Sequence, residues 1–148
     1  MHVMESAMVA PVEDIITEAL IDRVVRTFYA SVQTDPQLGP IFAARITNWD
    51  AHLNRMCAFW SSVLLMSGRY HGQPMQLHQG LPVDARHFDR WLELFAQTAR
   101  SICPPVAAEQ FVSRAERIAE SLELGIAASR GGWLRKGERL APASADSA

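Results

Sequence analysis

Four histidines fall inside the domain that this sequence predicts: His52, His71, His78 and His87. Imidazole suits both proton transfer near neutral pH and a bond to a metal, so their settings decide what each can do. His52 recurs with Met56, Phe59, Val63 and Met66 on an apolar helical line, where a lone imidazole is more often a core residue than a functional one. His71, between Tyr70 and Gly72, belongs to a loop and is expected to be solvated, while His87 falls in the first turn of a helix, where capping is the ordinary role. His78 differs because it lies on a stretch of about six residues, Pro74 to Gln79, closed by Gly80. A helix barely longer than one turn is not stable alone, so something must hold it. A bond from the neutral imidazole to a metal or a haem iron would do so, with Met75 and Leu77 packing beside it. A short packed connector with an incidental histidine explains the same pattern equally well.

Other chemistries find less support. A di-iron bundle needs repeated Glu-x-x-His pairs, and the sequence offers only the single Asp84-x-x-His87 near a helix start. No G-x-S-x-G, Gly-rich phosphate loop or activated-cysteine motif is present. Cys57 and Cys103 sit in apolar helical segments and read as reduced core thiols. The aromatics Phe28, Tyr29, Phe42, Phe59, Trp60, Phe88, Trp91 and Phe95 read mainly as core, but Tyr29 and Trp91 carry a polar O–H and N–H that need partners when buried. A small polar ligand is one such partner.

The elements that must position these side chains are helices. Ile21, Val25, Phe28 and Val32 predict a first helix over about 12–33, stopping at Asp35-Pro36. Pro36, Gly39 and Pro40 predict a corner holding about one helical turn. Thr47 with Asp50 resembles a capping box opening a second long helix that ends at Ser67-Gly68. After the short piece carrying His78, a third long helix begins near Asp84, with Phe88, Trp91, Phe95, Ala99 and Ile102 in step, and a fourth starts at Pro105, with Phe111, Ala115, Ile118 and Leu122 as its buried line. No segment alternates with period two, so the fold class is all-α. Residues 1–128 read as one domain with a short N-terminal extension. The Gly-, Arg- and Ser-rich stretch 129–148 reads as a disordered tail.

Composition bounds the partners. With 148 residues, 49% hydrophobic and 20% charged, the chain can bury a core and enclose a small cavity. Its net charge of −2 offers no field for nucleic acid or an anionic membrane. Glu5 interrupts the apolarity a signal peptide needs, and the run 58–66 is too short to span a bilayer, so the expectation is a cytoplasmic protein.

A series of motifs in order then resembles a known family. It comprises Phe28-Tyr29, Asp35-Pro36, Leu38-Gly39-Pro40-Ile41-Phe42, Trp49 with His52, Phe59-Trp60 with Val63-Leu64-Leu65, and Gly68-x-Tyr70-x-Gly72-x-Pro74. It continues through His78-x-x-Leu81-Pro82, His87-Phe88-x-x-Trp91-Leu92 and Arg114-Ala115 to Ser121-Leu122. Across about residues 15–127 the chain is similar to the group III truncated haemoglobins.

That resemblance implies a truncated globin, a two-over-two helical sandwich enclosing haem b (iron protoporphyrin IX). In it His78 is the proximal iron ligand and Phe42 stacks on the haem. Tyr29, His52 and Trp91 supply the distal polar groups, and Phe28, Met56, Phe59 and Phe88 the pocket walls. Met56 and Met66 depart from the family pattern, as does Gln79. The implied function is reversible binding of O2, NO or CO at iron, with NO dioxygenation as a reaction. A separate reductase is then required, because no flavin or NAD motif is present. A peroxide-activating haem enzyme with His52 as its acid–base group, or a non-haem helical interaction module, are the alternatives. Arg55, three residues after His52, is placed to reach a haem propionate from the pocket rim.

Overall fold

The computed structural model describes residues 15–78 and 80–142. Six helices make up the regular structure of the described residues: α1 (Glu18–Thr34), α2 (Gly39–Arg45), α3 (Trp49–Leu65), α4 (Pro74–His78), α5 (Ala85–Ile102) and α6 (Pro105–Ser129). No strand occurs among them, in keeping with the all-α expectation.

Local chemistry sets the boundaries. α1 begins later than the apolar periodicity predicts, because the Thr17 hydroxyl caps it by accepting the Leu20 N–H at 3.1 Å. The corner after it turns on Asp35, whose carboxylate accepts the N–H groups of Gln37 and Leu38 and the Nε–H of Arg90 on α5. Burial would raise the Asp35 pKa, but these bonds together hold it below the usual carboxylate range. The single turn expected there is a seven-residue helix, α2, with Pro40 near its start. α3 is capped by Asn48, which accepts the Ala51 N–H, and not by the Thr47–Asp50 pair. It stops at Met66, whose backbone is left-handed (φ 55°). Met66 is 88% exposed, so it does not belong to the apolar line of α3.

α5 starts at the reciprocal box that Asp84 and His87 form, the Asp84 N–H donating to His87 Nδ1 at 3.0 Å. α1 packs on α2, α3 and α5, while α6 lies against α5 and also meets α3 and α4. One core cluster joins α1, α3, α5 and the first half of α6 around Phe28, Trp60, Phe95 and Phe111. A second gathers Val83, Phe88, Ala119, Ile126, Ala127 and Leu140. Leu140 lies within the expected tail, so the chain over residues 130–142 is folded onto the helices and is not a free extension. The N-terminal extension before Ile15, Gln79 and residues 143–148 lie outside the described residues.

Candidate functional site

Between the two clusters lies a cavity of about 290 Å³. α1 brings Tyr29 to it, α2 brings Phe42 and Arg45, and α3 brings His52, Arg55, Met56, Phe59 and Trp60. α4 adds His78, and α5 adds His87, Phe88 and Trp91. Ile118, Ala119 and Leu122 of α6 close the wall.

Aromatic packing fixes the orientation of the polar side chains. Trp91 stacks on Phe95 (centroids 5.5 Å apart, 7° between planes), and Phe95 stacks on Trp60 (5.0 Å, 13°). Phe28 meets both Trp91 and Phe95 edge-on, at 5.5 and 5.1 Å. Trp91 is thus clamped from inside the core while its other edge borders the cavity. Tyr29 lies edge-on to Phe28, Phe42 and His52, and Trp49 backs the His52 ring at 5.7 Å.

Burial makes these groups poor at changing charge. It pushes the Tyr29 hydroxyl well above its usual range, so it stays a protonated donor. Burial, with the positive field of Arg55 adding to it, lowers His52 to about 4. The ring is therefore neutral at pH 7. Its Nε2 is buried without a hydrogen-bond partner among the described residues, an arrangement that costs free energy in an empty protein interior.

His78 has the opposite arrangement. Its Nδ1 is 2.6 Å from the Pro74 carbonyl oxygen, so Nδ1–H donates there and the lone pair is on Nε2. A backbone carbonyl that ties off one ring nitrogen in this way fixes the tautomer that ligates a metal. No cluster of three or more His, Cys, Asp or Glu among the described residues forms a metal site by side chains alone.

The short helix that carries His78 is held by packing that the sequence conceals. Met75 lies against the backbone of α6 at Gly125, where a Cβ would collide with its Sδ and Cε. Arg45 donates to the Leu77 carbonyl at 3.5 Å, and Gly80, at φ 81°, turns the chain out of the helix.

Nine of the ten expected site residues therefore line one cavity: Tyr29, Phe42, His52, Arg55, Met56, Phe59, His78, Phe88 and Trp91. Phe28 does not. It is fully buried behind Tyr29 and Trp91, so it supports the wall without being part of it. Arg45 and Tyr70 also line the cavity and were not anticipated. Tyr70 arrives from a loop, its N–H donating to the Ser62 hydroxyl and its ring edge-on to Phe59, and no periodicity marks such a position. His87 borders the cavity as well as capping α5.

Comparison with known proteins gives this geometry a family. The chain matches the bacterial-like globin family over residues 12–123. It is 31% identical over 113 residues to the group 3 truncated haemoglobin ctb of Campylobacter jejuni, covering 73% of this chain and 89% of that one. The crystal structure of the group III truncated haemoglobin from Campylobacter jejuni superposes with a TM-score of 0.68 at 32% identity, over 72% of this chain and 88% of that one. The haemoglobin of Chloroflexus aurantiacus, at 22% identity and a TM-score of 0.60 over 73% of this chain and 92% of its own, shares the fold. The chain thus belongs to the bacterial-like globins as a group III truncated haemoglobin.

Proposed function

We propose that the cavity holds haem b and that the protein binds O2 or NO there, with conversion of NO and O2 to nitrate as its reaction. Two observations support the fit of the group. His78 has Nδ1 tied to Pro74 and Nε2 left for a metal, and the buried Nε2 of His52 lacks a partner that a molecule in the cavity would supply. When bound, haem supplies an iron coordination position for a diatomic gas and the electron that polarises it.

The chain's own residues do the rest. His78 is proposed as the iron ligand, with Phe42, Met56, Phe59 and Phe88 excluding water from the apolar walls. The Tyr29 hydroxyl, kept protonated by burial, and the Trp91 indole N–H donate hydrogen bonds to the gas. His52, neutral and unpartnered, governs entry. Arg55, exposed at the edge of the cavity, pairs with a propionate. The single observation that carries this reading is that Tyr29, His52 and Trp91 line one mainly apolar cavity with His78, the Nε2 of His52 being buried without a partner. Electrons to restore the ferrous state come from a separate reductase, and the proposed location is the cytoplasm. No helix among the described residues is long and apolar enough to cross a membrane.

The test begins with the purified protein, which is expected to show a Soret band and, when reduced and exposed to O2 and then NO, to yield nitrate in proportion. His78→Ala should lose the histidine-ligated spectrum while His87→Ala keeps it. The reverse pair of results would overturn the ligand assignment, and NO consumption without nitrate would overturn the reaction. The peroxide reading has one observation in its favour, the unpartnered Nε2 of His52 at the cavity, although burial makes that ring a weak base. Peroxide turnover abolished by His52→Ala would support it. Membership of the globins leaves the non-haem interaction module without support.

A further inference from the structure

The chain beyond residue 123, where the family match ends, bonds to the connection that follows His78. The Arg130 guanidinium donates to the carbonyls of Leu81 and Val83, both at 2.9 Å, and to that of Ala141 at 3.1 Å. Leu81 to Val83 is the connection between α4, which carries His78, and α5. Further along, the Leu140 carbonyl accepts the Ala85 N–H at 2.9 Å, in the first turn of α5.

Glu123 fastens the other face of this segment. Its buried carboxylate takes a two-pronged bond from Arg139, at 2.9 and 3.0 Å, and the Leu140 N–H at 2.8 Å. Arg139 reaches on to Asp89 of α5 at 2.8 Å. The Leu140 side chain, 5% exposed, enters the cluster of Val83, Phe88, Ala119, Ile126 and Ala127. Three of those residues, Val83, Phe88 and Ala119, also line the cavity.

We propose that the segment 130–142 is a strap that positions the His78 side of the cavity by clamping the α4–α5 connection and α5 to α6. It rests on the haem reading above. Two physical arguments carry it. A five-residue helix has too few internal hydrogen bonds to hold its own orientation, so the direction of the His78 ring depends on whatever fixes the chain on either side. The strap also supplies a partner for a carboxylate that would otherwise be a buried, unpaired charge. Arg139, Arg130 and Leu140 are positioning residues and touch nothing in the cavity themselves.

The experiment compares the haem-loaded full-length protein with Arg139→Ala, Leu140→Ala and the conservative Arg139→Lys. Arg135→Ala, in the same segment but 91% exposed, is the control. The readouts are transfer of haem to an excess of an apoglobin acceptor, the iron–histidine stretching band of the ferrous protein, and the unfolding midpoint. Arg139→Ala and Leu140→Ala are expected to release haem roughly tenfold faster, the size of effect produced by losing an outer support of a ligating histidine. Their iron–histidine band should shift or broaden. Arg139→Lys should recover most of the effect, and Arg135→Ala should match the unaltered protein. A lowered unfolding midpoint with unchanged haem release and an unchanged band would overturn the proposal, because the segment would then only add stability. An unaltered protein with no Soret band would instead fail the haem reading itself.

Discussion

Tyr29, His52 and Trp91 stand on helices of 17, 17 and 18 residues, whereas His78 stands on one of five. The first part of the cavity wall is held by burial. Its side chains interlock with Phe28, Trp60, Phe95 and Phe111, and the cost of moving one of them is spread over several rings. The part around His78 is held by a few specific contacts: Met75 in its seat at Gly125, Arg45 on Leu77, and the polar staples from Arg130. Extensive packing is stiff and tolerant of small polar changes, while a few directed contacts are sensitive to the loss of any one.

Substitutions should separate these two modes. Phe95→Ala removes the ring between Trp60 and Trp91 and is expected to cost about 3–5 kcal/mol of folding stability, measured by denaturant titration. A cost under about 1 kcal/mol would mean that the stack is not what stiffens this wall.

Next in size are the donors themselves. Tyr29→Phe and Trp91→Phe should each speed O2 release by roughly tenfold or more, the worth of a hydrogen bond to a partly charged oxygen, while His52→Ala changes association more than release. Stopped-flow kinetics that show fast release only in His52→Ala would reverse these roles.

Gly125→Ala tests the other mode. An alanine suits a helix interior better than glycine by about 0.5–1 kcal/mol, yet its Cβ would drive Met75 from α6. The expected outcome is unchanged or slightly higher stability in urea together with haem release about tenfold faster. If stability and retention fall together, α4 is as tightly coupled to the main core as Trp91 is.

The smallest effect concerns pH. In the unfolded chain His52 takes up its proton near 6.5, but in the fold not until about 4. Between those values the unfolded state binds a proton that the fold refuses, so stability falls as pH drops from 6.5 toward 4 and is fully present above 6.5. Because solvent reaches part of the ring, a contribution of about 1 kcal/mol is expected. His52→Leu should flatten that limb of the stability profile, and a profile identical to that of the unaltered protein would show that the buried ring carries no such penalty.

Helix content was legible because period and punctuation agree. Asp84, Pro104-Pro105 and the three- and four-residue steps of α5 and α6 each specify a helix locally, and the structure follows them. The α3 start moved by one residue because Asn48 competes with Thr47 for the same free N–H groups, a choice that depends on the path of the corner before it. The site was legible as types of residue and, through resemblance, as an ordered series. Phe28 lies behind the wall where the resemblance implies a place in it, because its step with Ile21, Val25 and Val32 turns it into the core. Tyr70 and Arg45 escaped because loop and rim positions carry no periodic signal.

The sequence alone determined which segments are helical, which of their faces are apolar, and that His78 sits on an element unable to stand by itself. Those properties follow from interactions between residues within a turn or two of each other. Only the tertiary structure decided what supports that element. Gly125 lies 50 positions from Met75, Arg130 47 from Val83, and Arg139 50 from Asp89. A stretch from Ser129 onward that is poor in apolar residues reads locally as disordered, because it has little surface of its own to bury. It is ordered through residue 142 by two leucines, Leu134 and Leu140, and two arginines that find a hydrophobic cluster, a buried carboxylate and free carbonyls already assembled by the rest of the chain.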